Sequence, residues 1–334
     1  FLLVVLCGNT FAQKIPVIPL DLDSLITVGY ATGSLKTLSG SVEKITEKQM
    51  NKDQVTNPLE AIRGRVPGLT IQRGTNGLAA LDAVRLRGTT SLTSGNDPLI
   101  IVDGVFGDLS MLTSIYPTDI ESFTILKDAS ETAQYGSRGA SGVIEVTTKK
   151  GMQGRTQVAY NGSFGISTVY KNLKMLSGDE FRSVASERGI SILDKGNNTN
   201  FQKEIQQTGL QQNHHVAFYG GSSTSSYRVS LGFMDRQGVI LNEDMKNFTS
   251  NMNMNQKMFD GFFDCELGMF GSILKNHNLV DYQKTFYSAA TFNQTYPNHK
   301  DPVTNSWDGI TTASQITNPL AWMQVDDDDA TSHI

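Results

Sequence analysis

Few residues in this chain have the types and spacings that catalysis or metal binding requires. The adjacent His214 and His215 would point to opposite faces of a strand, which makes them poor joint ligands for one metal ion. Four consecutive aspartates at residues 326–329 offer the oxygen ligands that suit Ca²⁺, although such a run is also typical of a solvated loop. The serines lack a nucleophile-elbow pattern, and the glycines lack the spacing of a phosphate-binding loop. The sequence therefore predicts neither an enzyme nor a bound cofactor.

The length, charge and hydropathy of the chain limit the classes of protein to which it can belong. The chain of 334 residues is long enough for two domains, and its formal net charge of −5 argues against nucleic acid as the main partner. A mean hydropathy of −0.25 is ordinary for a water-soluble protein. It does not exclude a transmembrane barrel, whose alternating strands carry a weak hydropathy signal. After the first residues no apolar stretch approaches the roughly 18 residues of a helical membrane span, so none is predicted.

The first residues are typical of an exported protein. Residues 1–7 are apolar and too few to span a bilayer, and Thr10 and Ala12 put small residues where a signal peptidase would cut before Gln13. Residues 1–12 are therefore predicted to be the remnant of a signal peptide, with a buried strand as the alternative. Cleavage there would leave Cys265 as the only cysteine, and neither an intrachain disulfide nor a cysteine metal site is then expected.

Residues 36–151 mix helix and strand signals and are predicted to form one compact domain. Thr56 or Asn57 can cap a helix that has Pro58 at its first position and ends at Gly64. The predicted strands lie at residues 69–72, 83–87 and 99–102. An Asp-Gly pair after the third of these strands is typical of a tight turn between two strands.

One run, ILKDASETAQYGSRGASGVIEVTTKKG at residues 125–151, carries the most information in the chain. Its first residues close a strand. Asp128 or Ser130 can cap a short helix through Ala133, and Gly136 suits the left-handed end of that helix. Two more glycines form a turn into the β-branched strand VIEVTT. Taken by itself, the run is a strand–helix–turn–strand unit of the kind found in many α+β domains.

From residue 154 onward the pattern changes to long strands with a period of two. Apolar residues alternate with small polar ones near residues 157–166, 216–220, 227–233, 248–255 and 263–269. Long segments with one apolar and one small-polar face are typical of a barrel wall with lipid outside and water or protein inside. A soluble β-sandwich is the alternative, but its strands are usually shorter.

Two long connections interrupt these strands. Residues 173–212 are predicted to contain a helix at 178–188. Residues 276–315, rich in Asn, Tyr, Thr and Asp, are predicted to be an extracellular loop. Tyr282, Tyr287 and Tyr296 in this loop are candidate contacts for a substrate.

Several motifs resemble those of TonB-dependent outer-membrane transporters of the SusC/RagA type. The run at residues 125–151 is close to the plug-domain signature of that family. Further similar blocks are DSLITVGY at 23–30, LSGSV at 38–42, NPLEAIRGRVPGL at 57–69, RLRGTTSL at 85–92, DPLIIVDGV at 97–105, PTDIES at 117–122 and YRVSLGF at 227–233. The resemblance implies a membrane β-barrel, with about 22 strands in the family, and an N-terminal α+β plug domain. Residues 152–334 then supply only the first barrel strands, so this N-terminal fragment is expected not to close a barrel by itself.

The resemblance also assigns two sets of functional residues. In a periplasmic linker at residues 13–35, the TonB box comprises Ser24, Leu25, Ile26, Thr27, Val28, Gly29 and Tyr30. In the plug, residues 36–151, the signature residues are Arg85, Arg87, Asp103, Gly104, Lys127, Asp128, Tyr135, Gly136, Arg138, Gly139 and Gly142. An extended TonB box can add as a strand to a sheet edge of TonB, although this segment could also be the first strand of the plug. The charged signature residues are expected to pair with the barrel wall or with one another.

The function implied by the resemblance is TonB-dependent import of large nutrients through the outer membrane. The expected partners are the periplasmic domain of TonB, a SusD-like surface lipoprotein that closes over the barrel, outer-membrane lipids, and an oligosaccharide or peptide substrate. A siderophore or vitamin receptor shares this mechanism and stays an alternative. A secreted or periplasmic β-rich glycan-binding protein or enzyme is the alternative from another class.

Overall fold

The computed structural model describes residues 25–28, 31–34, 41–51, 55, 57–74, 77–78, 82–92, 95–259, 262–279, 281–308, 317–325 and 328–333. The predicted signal peptide remnant lies outside the described residues, as do Ser24, Gly29 and Tyr30 of the TonB box. Within the described part of the chain, no helix has the length and apolar character needed to cross a membrane.

The first half of the chain folds into short strands and helices. They are β1 (Leu25–Val28), β2 (Ala31–Ser34), β3 (Val42–Thr46), α1 (Pro58–Ile62), β4 (Leu69–Gln72), β5 (Ala83–Leu86), β6 (Leu99–Val102), β7 (Val105–Gly107), α2 (Leu109–Thr113), β8 (Ile120–Leu126), α3 (Ala129–Thr132) and β9 (Val143–Thr148). Stretches of 3-10 helix lie at Pro117–Asp119 and Ala133–Ser141. The strands predicted at residues 69–72, 83–87 and 99–102 are confirmed as β4, β5 and β6.

A five-stranded sheet in the order β3-β8-β9-β6-β7 organises the plug. Its neighbours are antiparallel except for β6 and β9, which run parallel. The helix α1 begins where predicted, because the Asn57 side chain accepts a hydrogen bond from the Leu59 backbone and Pro58 occupies the first turn. The largest side chains of the plug core, including Leu59, Phe123 and Ile144, are fully buried between this sheet and its helices.

The signature run differs from its predicted local structure. The α-helix ends already at Thr132, and the chain continues as 3-10 helix to Ser141, so the prediction that Gly136 ends the helix is wrong. Gly136 is instead a kink within this stretch, with φ of 60° and ψ of −144°. The chain winds tightly here, since a Cβ atom on Gly139 would lie 2.6 Å from the Thr132 carbonyl oxygen. Gly142, with φ of 88°, then turns the chain into β9.

The second half of the chain forms a six-stranded antiparallel sheet, the wall sheet, whose strands are neighbours in the order of the sequence. Its elements are β10 (Gly154–Ser167), α4 (Gly178–Glu187), α5 (Phe201–Glu204), β11 (Gly209–Gly221), β12 (Ser225–Gln237), β13 (Asp244–Met258), β14 (Phe263–Asn278), α6 (Tyr282–Thr291), α7 (Pro319–Val325) and β15 (Asp328–His333). The five segments with predicted alternation are confirmed as β10 to β14. Each exceeds the roughly 9–11 residues that a tilted strand needs to cross a bilayer.

The two faces of the wall sheet have the reverse of the usual polarity. Apolar side chains such as Val158, Phe164 and Met269 are about 60% exposed on the outer face. Polar side chains of the opposite face are buried, among them Ser230 at 1% and Asn253 at 6% exposure. An apolar outer surface combined with a buried polar inner face suits a sheet that has lipid on one side and the plug on the other.

The connections between the wall strands confirm one prediction and correct two. Helix α4 lies where predicted, begun by a capping box between Ser177 and Glu180. The predicted loop at 276–315 is wrong at its start, because β14 extends to Asn278 and α6 follows, capped by the Asp281 carboxylate. The predicted acidic loop at 326–329 is wrong for its last two residues, which begin β15 and pair with the end of β14. Strand pairing overrode the local charge there.

Candidate functional site: the plug, its tether and its contacts with the wall sheet

The TonB-box segment forms a hairpin apart from the plug sheet. Residues Leu25–Val28 pair with Ala31–Ser34, so Ile26 lies opposite Gly33, and this pair of strands is a separate two-stranded sheet. The extended conformation predicted for this segment is therefore present in residues 25–28. The alternative, in which it is the first strand of the plug sheet, is wrong, since that sheet begins with β3. Binding to TonB stays a prediction.

One ion pair and one hydrogen bond join β3, the first strand of the plug sheet after this hairpin, to the end of β8. The Ser41 backbone N–H donates to Asp128 at 2.6 Å, and Arg87 forms an ion pair with the other carboxylate oxygen. The Ser41 hydrogen bond, followed by Arg87, holds the pKa of the Asp128 carboxyl below its usual range. The Lys127 ammonium lies 2.5 Å from Glu43 of β3. We call Ser41, Glu43, Arg87, Lys127 and Asp128 the β3 clamp.

The Asp103-Gly104 pair forms the predicted tight turn between β6 and β7. Both residues have positive φ, 47° and 85°, as a two-residue hairpin turn of this kind requires. The Asp103 carboxylate accepts hydrogen bonds from the Thr148 backbone N–H at 2.9 Å and from the Thr148 hydroxyl at 2.6 Å. Asn253 of the wall sheet in turn donates to the Thr148 hydroxyl at 3.0 Å. This chain of hydrogen bonds links the turn, the end of β9 and the wall.

Two of the remaining signature residues, Arg85 and Tyr135, have partners within the plug. Arg85 pairs with Asp97, and the Tyr135 hydroxyl donates to Glu145 of β9 at 2.5 Å. Arg138 is exposed and lines an open groove on the plug surface. Of the two arrangements expected for the charged signature residues, the ion pairs found for Arg85, Arg87, Lys127 and Asp128 all lie within the plug.

A second contact with the wall is made by Asp119, a residue that the sequence did not single out. Asp119, at the end of the 3-10 turn before β8, is 2% exposed. One carboxylate oxygen accepts from Ser230 at 2.6 Å and lies 3.0 Å from Nε2 of His215, while the other accepts from Arg228 at 2.9 Å. Tyr116 stacks on the His215 ring with centroids 4.6 Å apart. We call Asp119, His215, Arg228 and Ser230 the Asp119 node.

Electrostatics keeps this carboxylate ionised despite its burial. Burial by itself raises the pKa of Asp119, but the hydrogen bond and charge of His215, together with Ser230 and Arg228, outweigh it and lower the pKa below its usual range. Burial and the nearby Asp119 charge raise the pKa of Tyr116 to about 12. The node is thus an internal charge cluster shared between the plug and strands β11 and β12 of the wall.

A cavity of about 320 Å³ lies between the plug and the end of the wall sheet that carries the long connections. Its lining includes Arg73, Asp82, Arg236, Glu243 and Tyr282. Burial raises the pKa of Glu243, which accepts a hydrogen bond from the Leu78 backbone in a plug loop. Charged side chains from both units therefore meet at this cavity.

The three tyrosines predicted as substrate contacts have different surroundings. Tyr282 lines the cavity just described, and Tyr287 is exposed on α6. Tyr296 is buried in a second hydrophobic cluster, where it packs against Phe292, and its contact with substrate stays a prediction. That cluster also contains Phe201 and joins the long connections into one packed unit.

The described residues contain no group of three or more His, Cys, Asp or Glu side chains placed to hold a metal ion. Of the acidic run considered for Ca²⁺, Asp329 lies in β15 with a carboxylate oxygen 3.6 Å from His277 of the neighbouring strand. The other end of the run, residues 326–327, lies outside the described residues. His214 and His215 point to opposite faces, and only His215 reaches the plug.

Comparisons with known proteins agree with this architecture. Residues 34–143 match the family model of the TonB-dependent receptor plug domain. The chain is 38% identical over 252 residues to the TonB-dependent receptor SusC of Bacteroides thetaiotaomicron, covering 72% of this chain and 25% of SusC. It is 36% identical over 235 residues to the TonB-dependent receptor P3 of Formosa agariphila, covering 70% and 23%. The RagAB peptide importer in its open-open state matches with a TM-score of 0.73 and 24% identity, over 89% of this chain and 38% of that chain.

A plug domain packed against sequential antiparallel strands defines the class of protein as a TonB-dependent receptor, in which a plug lies within a membrane β-barrel. The chain belongs to the SusC/RagA family of these receptors. It spans about a quarter of the length of the curated relatives SusC and P3.

Proposed function

We propose that the complete receptor containing this chain imports large nutrients across the outer membrane and draws its energy from TonB. In this proposal residues 13–35 are the linker with the TonB box, 36–151 the plug, and 152–334 the first part of the barrel. The observation that carries the proposal is the extended segment at residues 25–28, which lies outside the plug sheet and, with its hairpin partner β2, precedes the edge strand β3 of that sheet.

The mechanism follows from the position of that segment. An extended peptide can add as a strand to a sheet edge of a partner, and the main-chain hydrogen bonds then give the partner its grip. Tension on the peptide passes through its hairpin partner β2, and β3 is the first strand of the plug sheet that it reaches. The β3 clamp must then give way before the plug is remodelled and a path opens. Asp128, which accepts the hydrogen bond from Ser41, is 30% exposed, and a hydrogen bond to such a group is readily exchanged for one to water.

Substitution of Ile26 by proline tests the role of the segment. Proline removes the backbone N–H of residue 26 and so removes one hydrogen bond from any strand added to TonB. In the complete receptor, Ile26→Pro is expected to abolish energised uptake while the amount of receptor in the outer membrane stays unchanged. Ile26→Val, which keeps the N–H, is the matched control and is expected to transport normally. Wild-type uptake by the proline variant would contradict the assignment of this segment as the TonB box.

The substrate class and the lid partner are proposed by similarity. SusC is a TonB-dependent receptor, and the RagAB structures are those of a peptide importer. We propose that this receptor works with a SusD-like surface lipoprotein and takes up oligosaccharides or oligopeptides. Purification of the complete receptor from outer membranes in mild detergent tests this. A co-purifying SusD-like lipoprotein supports the proposal, whereas recovery of the receptor alone favours a siderophore or vitamin importer.

A further inference from the structure

The plug is held in two places that differ in strength. At one side of the plug sheet, β3 is an edge strand that pairs only with β8. The β3 clamp joins it to other plug residues through the Ser41 hydrogen bond to Asp128, which is 30% exposed, and through the ion pair of Glu43 with Lys127, which are 22% and 6% exposed. A hydrogen bond to a partly exposed carboxylate is readily exchanged for one to water, so it contributes little resistance to an applied force.

The opposite end of β8 is held much more firmly. Asp119 immediately precedes Ile120, the first residue of β8, and is bonded to three wall residues on two adjacent strands. Every member of the Asp119 node is less than 10% exposed. Removing one charged side chain from a buried cluster lowers the stability strongly, because the remaining charges lose their counter-charge in a medium of low dielectric constant. The end of β9 is held beside it through Thr148 and Asn253.

We propose that Asp119 is a positioning residue that retains β8 and β9 on the barrel wall while TonB pulls β3 away. The inference rests on the proposed function, since it assigns roles to two parts of the plug during energised opening. It implies partial opening, in which the plug never leaves the barrel as a unit. The hairpin of β1 and β2 and the edge strand β3 form the part that moves, and the Asp119 node is the fixed point.

Loss of the fixed point should make opening excessive only when force is applied. In the complete receptor, Asp119→Ala is expected to make cells at least fourfold more sensitive to vancomycin, a hydrophilic antibiotic too large to cross an intact plugged barrel. The double variant Ile26→Pro with Asp119→Ala is expected to regain wild-type resistance, because no force reaches its plug. Asp97→Ala is the matched control: it also removes an aspartate paired with an arginine, but within the plug, and resistance should stay at the wild-type level.

The outcomes separate retention from a merely structural role. Sensitivity that persists in the double variant would show a plug that is loose without force, and unchanged resistance in Asp119→Ala would show that the node retains nothing. Either result overturns the inference. If Asp119→Ala does not reach the outer membrane, Ser230→Ala, which removes a single donor from the node, carries the same comparison. Uptake in Ile26→Pro alone reports separately on the proposed function.

Discussion

The glycines of the signature run illustrate how single residues fix the plug. Gly142 has a positive φ of 88°, and a Cβ atom there would lie 2.5 Å from Cδ1 of Leu86. Gly104 has nearly the same φ, 85°, but nothing lies within 4 Å of its would-be Cβ. Position 142 therefore requires glycine both for its backbone conformation and for lack of space, whereas position 104 requires glycine for its conformation alone.

This difference predicts unequal effects of two alanine substitutions. Gly104→Ala should destabilise the plug by about 1 kcal/mol, the cost of holding an alanine at positive φ. Gly142→Ala adds overpacking against Leu86 and should cost about 2–4 kcal/mol in all. The measurement is the urea concentration at which trypsin cuts half of the plug in the purified complete receptor, taken as the midpoint. Equal midpoints for the two variants would contradict the packing argument.

Residue-level prediction from the sequence succeeded where the determinant is local. Asn57 at the start of α1 and the Asp103-Gly104 turn were found because neighbouring residues define them. Asp119 was not found, because its partners His215 and Ser230 are 96 and 111 positions away. Their only signal was a place on the small-polar face of their strands, which they share with many other residues. No spacing rule connects a plug residue to a particular wall strand.

At the scale of elements, the plug sheet has one strand whose position suits movement. Strand β3 is the strand of this sheet that follows the β1–β2 hairpin along the chain, lies at the sheet edge and pairs antiparallel with β8 alone. Strand β8, by contrast, lies between β3 and β9 and has both edges paired. Separation of β3 breaks one ladder, whereas displacement of β8 breaks two.

Two engineered disulfides that share one cysteine test which ladder opens. Thr124 lies opposite Lys44 of β3 and opposite Glu145 of β9. In a complete receptor that carries Cys265→Ser, oxidised Lys44→Cys with Thr124→Cys should block uptake, and a reductant should restore it. Oxidised Thr124→Cys with Glu145→Cys, the matched control, should transport normally. Uptake that survives the first cross-link would mean that β3 does not separate from β8.

Elements were predictable from the sequence when their pattern was long. Strands β10 to β14 are 13 to 16 residues long, and apolar and polar residues alternate along them in the pattern typical of strands. Strand β15 begins with acidic residues and was taken for loop, since its pairing with β14 depends on a distant segment. Helix α6 was missed because its buried residues, Thr285, Ser288 and Ala289, are small and do not form an apolar helical pattern.

For the whole molecule, the decisive property is that the wall sheet is apolar outside and polar inside. Leu231 lies at the middle of β12 with its side chain 38% exposed, whereas its neighbour Ser230 is buried in the Asp119 node. Met258 lies at the end of β13 and is 39% exposed, so it matches Leu231 in exposure but differs in position along the strand. In a bilayer, the first would be at the hydrocarbon midplane and the second near the interface.

A charge at these two positions should therefore have unequal costs. Leu231→Arg is expected to lower the unfolding free energy of the complete receptor in lipid vesicles by about 2–4 kcal/mol, because the charged guanidinium loses its hydration at the midplane. Met258→Arg should cost about 0–1 kcal/mol, since its guanidinium can reach the interface. Denaturant titration in vesicles measures both. The expected difference would place the centre of the membrane at the middle of β12. Equal stability of the two variants would mean that Leu231 does not contact lipid at the midplane.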